Sequence, residues 1–148
     1  HTVRVRDIIV RSVHLCRPTG SLELPVRAMM EHGIGCVLVV DDAGRLTGIL
    51  TDRDVCIAGQ TRQRRLFELA VNDHMTHTVH YCTEDDPVSD ATALMGRHRI
   101  RRLPVVDASR RPVAVLTLGD IARAFRRFDL HHIPVEAMQL LKAAAAII

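Results

Sequence analysis

The chain has 148 residues, 47% of them hydrophobic but only 3% aromatic, a length that suits one compact unit or two very small ones with aliphatic cores. No apolar run approaches the roughly 20 residues of a membrane span, and the start, His1-Thr2-Val3-Arg4, lacks the apolar stretch of a signal peptide. The net charge of +3 comes from arginines scattered among acids with few aromatic stacking partners, which argues against nucleic acid and fits a small anionic ligand.

An internal repeat organises the chain. Shifting the sequence by 66 residues aligns its halves without a gap. Val13-His14-Leu15-Cys16 falls on Val79-His80-Tyr81-Cys82, and Ile34 on Ile100. Val39-Val40-Asp41 falls on Val105-Val106-Asp107, Leu50-Thr51 on Leu116-Thr117, Asp54 on Asp120 and Ala58 on Ala124. Upstream, Val5 and Asp7 land on Val71 and Asp73.

In chain order, each copy opens with an extended stretch, Ser12–Cys16 or Thr78–Cys82. A helical segment follows, Leu22–His32 or Val88–His98. In the first helix Pro25 blurs the start, and Gly33 suits a left-handed end. In the second, Asp86 is placed to cap and Pro87 to occupy the first helical position. Arg99 stands where the first copy has Gly33, so that turn must carry mild strain or take another geometry. Apolar β-type runs come next, Val37–Val40 or Leu103–Val106. Turns at Asp41-Asp42-Ala43-Gly44 or Asp107-Ala108-Ser109-Arg110 lead to second strands, Leu46–Leu50 or Pro112–Leu116. A helix from about Asp52 or Leu118 closes the unit. The order is β-α-β-β-α twice, an α/β (α+β) architecture in which two small halves should pack through their sheets about a pseudo-twofold axis. The boundaries read as 1–60, a polar linker 61–70, 71–127, and a tail 128–148 expected to be an apolar helix after Pro134 that docks on a second subunit.

The segments carrying chemistry are Gly48-Ile49-Leu50-Thr51-Asp52-Arg53-Asp54 and Ala114-Val115-Leu116-Thr117-Leu118-Gly119-Asp120. Each is a strand ending in Thr, with Asp three residues later where a helix begins. A carboxylate there can accept two hydrogen bonds from a ribose diol, while the hydroxyl and the free N–H groups of a positive helix end can face a phosphate. The plainer alternative is a capping-box variant that needs no ligand. Recurrence after the same strand in both copies favours the ligand.

The β-α-β-β-α repeat, the run Ile100-Arg101-Arg102-Leu103-Pro104-Val105-Val106-Asp107 and the strand–Thr-x-x-Asp–helix corner together resemble the CBS (cystathionine β-synthase) domain. Two copies are similar to one CBS pair, a Bateman module, over roughly residues 3–127. The resemblance implies adenosine ligands in clefts between the paired domains, with Asp on the ribose and Thr near the phosphates. One site would use Thr117 and Asp120 with Arg101 and Arg102 near the phosphates, and Gly20, Ile34, Gly35 and Cys36 against the adenine. The other would use Thr51, Arg53 and Asp54, with Asp86, Ala91, Ile100 and Arg101 across the cleft. Two features depart from the family pattern. Gly35 and Cys36 stand where the second copy has two arginines, and Ala114 replaces the usual Gly, so the sites should be unequal and the Asp120 site favoured.

Other clusters invite other chemistry. His74, His77, His80 and Cys82 suggest a metal, but the repeat register splits them between a short helix and a strand. The recurrence of His14/His80 and Cys16/Cys82 suggests a shared scaffold, or a redox sensor. The four cysteines, Cys16, Cys36, Cys56 and Cys82, form no CxxC and are expected to be reduced thiols. No nucleophile elbow or Walker-type Gly-Lys is present, and Lys142 is the single lysine, so no catalytic residue and no cofactor or resident metal is expected. The expectation is a non-catalytic, cytoplasmic regulatory module. It would bind AMP, ADP, ATP, NAD or S-adenosylmethionine, work as a homodimer, and act on an enzyme or transporter. The alternatives are a ligand-free structural protein and a redox- or metal-responsive stress protein.

Overall fold

The computed structural model describes residues 2–127, so the expected tail helix lies outside the described residues. Strand β1 is Leu15–Cys16, α1 Glu23–His32, β2 Cys36–Val40, β3 Leu46–Thr51 and α2 Asp52–Arg62. A short helix α3, Val71–His74, precedes the second copy: β4 Cys82–Thr83, α4 Val88–His98, β5 Arg102–Val106, β6 Pro112–Thr117 and α5 Leu118–Arg127. The strands form two three-stranded sheets, ordered β1-β2-β3 and β4-β5-β6. In the first, β1 runs parallel to β2 (Leu15 opposite Leu38) and β2 antiparallel to β3 (Val37 opposite Leu50). In the second, β4 runs parallel to β5 with Cys82 opposite Val105.

The cores follow the apolar pattern. All five residues of β2 are buried, as befits a central strand, whereas β3 alternates buried and half-buried. Leu22, Val37, Val39 and Leu50 anchor one core; Met95, Leu103, Leu116 and Ile121 anchor the other. Each such side chain removed from water contributes about 1.5–3 kcal/mol.

The opening strands are shorter than the sequence suggests. Upstream of β1 the chain turns through a Ser12 N–H bond to the Val10 carbonyl, and the His14 carbonyl accepts from the Leu38 N–H of β2 at 3.0 Å just before the paired residues begin. Asp86 does not cap α4. Pro87 takes the N-cap position, and Asp86 Oδ2 instead accepts from the Thr83 N–H at 2.9 Å. Gly33 is left-handed as expected (φ 62°), and Arg99 adopts the same geometry (φ 53°), so the strained option is the one realised.

The chain divides into two compact units that do not coincide with the sequence repeats. One joins residues up to Ser12 with His80–Ala108 and the chain from Val113. The other holds Val13–Val79 and Ser109–Pro112. Each lead-in segment therefore belongs to the core of the other copy, and the bonds that hold it recur in register. The Val5 N–H bonds the Asp86 carbonyl at 2.9 Å, as Val71 bonds Gly20 at 2.8 Å. Val88 bonds Val3 and Leu22 bonds Leu69, both at 2.9 Å.

Candidate functional site

Each strand-to-helix corner is built by the Thr and Asp the sequence singles out. In α2, the Thr51 N–H donates to Asp54 Oδ2 at 2.9 Å and the Asp54 N–H donates to Thr51 Oγ1 at 3.1 Å. In α5 the Thr117 N–H donates to Asp120 Oδ2 at 2.8 Å, and the Asp120 N–H to Thr117 Oγ1 at 3.1 Å. Both corners are reciprocal capping boxes, which satisfy two helix-end donors that would otherwise lack a partner. The next N–H is also answered: Asp52 donates to the Gly35 carbonyl at 3.0 Å, and Leu118 to the Arg101 carbonyl at 3.2 Å. Each corner is thereby tied to the loop that precedes the central strand of its own sheet.

The second carboxylate oxygen distinguishes the corners. Thr76 Oγ1 lies 3.4 Å from Asp54 Oδ1 and 3.3 Å from Oδ2. Asp120 Oδ1 instead pairs with Arg123 one turn along α5. Neither carboxylate points into bulk solvent: the Asp120 side chain is 14% exposed and Asp54 is half-buried. Arg123 is 65% exposed, so this pair is weak and displaceable.

The structure sorts the expected site residues by unit. Gly20, Ile34, Gly35, Cys36, Thr51, Arg53 and Asp54 lie in one; Asp86, Ala91, Ile100, Arg101, Arg102, Thr117 and Asp120 lie in the other. Arg101 and Arg53 are exposed, whereas Arg102 begins β5 and is engaged. Ala91 is 1% exposed within its core and offers a ligand no surface. A polar depression of about 350 Å³ lined by Arg62, Arg64, Glu68, Asp73 and His74 contains none of these residues.

The metal reading finds no support in the geometry. Among the described residues no three His, Cys, Asp or Glu side chains converge as metal ligands. His77 Nε2 bonds the Asn72 carbonyl at 3.0 Å, and His80 stacks on His98. Burial pushes the Cys16 thiol up to about 11; burial, then Asp86, pushes Cys82 up to about 12. The thiolate that redox chemistry needs is disfavoured at both. Sequence reasoning missed Thr76 and Arg123, the partners of the two aspartates. Arg123 could have been read from its i+3 spacing to Asp120; Thr76 comes from a different element and had no local signal.

A duplicated β-α-β-β-α unit with a capped Thr–Asp corner in each copy defines a tandem-repeat α/β module. A profile of the CBS domain matches residues 5–60 and 71–127, and the chain belongs to that family. It is similar to the CBS domain pair of protein MJ0100 solved with 5′-methylthioadenosine and S-adenosyl-L-methionine: 28% identity, TM-score 0.77, 86% of this chain and 99% of that one. It is also similar to CBSX2 solved with AMP, at 26% identity and TM-score 0.74, covering 85% and 98%. Among curated proteins it is 30% identical over 128 residues to an uncharacterized 17.7 kDa protein of Acidianus ambivalens, covering 86% of this chain and 75% of that one. Some relatives are much longer. The chain is 31% identical to the inosine-5′-monophosphate dehydrogenase of Methanocaldococcus jannaschii, with 79% of this chain matching 22% of that enzyme.

Proposed function

We propose that this chain is a non-catalytic regulatory module that binds an adenosine-containing ligand at its Thr–Asp corners. The observation that carries this is the corner itself, repeated in register and sheltered, with one carboxylate oxygen spent on the cap and the other on a displaceable partner. The adenosine compounds in the two similar solved structures support the ligand class. At the favoured corner Asp120 takes the ribose diol, displacing Arg123, with Thr117, Arg101 and Arg102 toward the phosphates. Gly20, Ile34, Gly35 and Cys36 are assigned to the same ligand; Thr51, Arg53, Asp54, Asp86 and Ile100 to the second. Binding regulates something only if the ligand favours one arrangement of the protein. A homodimer in the cytoplasm acting on an enzyme or transporter completes the proposal, and sedimentation checks the dimer.

A second reading has its own observation. Both aspartates are already satisfied as caps, which a ligand-free interaction protein would also show. Thermal shifts with AMP, ATP, NAD and S-adenosylmethionine separate the two, because a ligand at a hundred times its Kd adds about 2.7 kcal/mol. Asp120→Ala should lose the shift. A panel without any shift, or an equal shift in the variant, defeats the corner assignment.

A further inference from the structure

Each copy carries a histidine pair outside the corner. His14 meets His32 with ring centroids 4.5 Å apart and planes tilted by 31°. His80 meets His98 at 3.5 Å and 13°, a near-parallel stack. The second pair joins the segment leading into β4 to the last turn of α4. From there the chain leads directly to the Asp120 corner. Left-handed Arg99 closes the helix, the Ile100 N–H bonds the Met95 carbonyl at 3.0 Å, and the Arg101 carbonyl accepts the first N–H of α5.

Two stacked imidazoles hold together while neutral and repel once both are charged. A helix C-terminus by itself favours an imidazolium. At His98, an exposed residue, the opposite wins: loss of water from the ring face stacked on His80, then the charges of His80 and Arg97, lower its pKa from the usual value. On α4 the charged neighbours in sequence are Arg97 and Arg99; beside His80 the titratable neighbours in sequence are Tyr81 and Cys82; β5 opens with the engaged Arg102. The charges acting on His98 are those of His80 and Arg97, with no carboxylate among them. The first copy lacks this arrangement, since Glu31 stands in the place of Arg97 and its rings are further apart.

We propose that the His80–His98 stack is a proton-operated clasp: neutral, it holds the end of α4, and protonated, it releases the Arg99–Leu103 segment that supports the Asp120 corner. A lowered base pKa means the open form binds more protons, so the clasp is intact above about pH 6.5 and is lost as pH falls below it. Each unit by which the open-state pKa exceeds the clasped one is about a tenfold loss of protection. The link to ligand rests on the reading above, but the primary readout does not.

The test is hydrogen exchange of the Arg99–Leu103 amides in the full chain at pH 7.5 and 5.5, as protection factors corrected for intrinsic rates, with adenosine affinity measured alongside. Adenosine carries no phosphate, so added positive charge does not by itself strengthen its binding. The wild type should lose protection at pH 5.5, His98→Gln should lose none on acidification, and Arg97→Gln, which brings the clasped pKa back toward the open one, should lose less than the wild type. Equal protection at both pH values in the wild type, or an undiminished loss in Arg97→Gln, overturns the clasp. Adenosine that binds with the same affinity at both pH values while protection changes refutes the link to the corner. Adenosine that binds at neither pH counts against the ligand reading alone, and exchange still decides the clasp.

Discussion

The two copies share a frame and differ at the positions where the frame is hardest to build. Copy one uses Gly33 and Gly44 at left-handed turns, with φ 62° and 79°; copy two places Arg99 and Arg110 there, with φ 53° and 65°. The side-chain penalty in that region is about 1–2 kcal/mol per residue. The second difference is at the third β3 residue. A Cβ at Gly48 would come within 2.8 Å of the Met75 side chain and 3.1 Å of the Thr76 carbonyl, and that close approach lets Thr76 bond Ile49 in both directions. At the matching place copy two has Ala114 and Val10, the latter 75% exposed, and no such bridge occurs among the described residues. Losing Thr76's hydroxyl there coincides with Arg123 at the position of Ile57, and so with an ion pair in place of a neutral bond. The comparison teaches that one repeat supports two corners of different charge without changing the backbone that holds them.

The comparison can be broken most strongly in the cores. Leu50→Ala and Leu116→Ala remove fully buried, register-matched side chains, and each should cost about 2–5 kcal/mol in chemical denaturation. Costs differing by more than that spread would show that the two cores are not equivalent. Gly48→Ala sharpens the second difference. It makes copy one resemble copy two, should cost about 1–3 kcal/mol by overpacking, and should release the Thr76 amide to exchange. The smallest effect lies at the turns. Arg99→Gly should stabilise by up to about 1 kcal/mol, reduced by the greater freedom of glycine in the unfolded chain. Gly33→Arg should destabilise by a similar amount, and thermal melts check both signs.

Much of this was legible in the chain. Helix α4 begins and ends where periodicity placed it, at Val88 and His98, because an amphipathic face and a terminal turn are local properties. The Thr–Asp corners were equally readable, since a capping box is written in four consecutive residues. The short β1 and β4 were not, because the extent of an edge strand is set by pairing with β2 or β5 further along the chain, and Asp86 was misread as a cap because Thr83 claimed its carboxylate.

By itself the sequence determined the repeat, the order of elements and the Thr and Asp that build each corner, all of which depend on spacing of a few residues or on one constant shift. Only the tertiary structure decided that each lead-in joins the other copy's core, that Thr76 and Arg123 hold the two carboxylates, and that His80 lies flat on His98. Those partners come from separate elements or from a choice of rotamer. Packing sets both, and no local pattern in the chain encodes them.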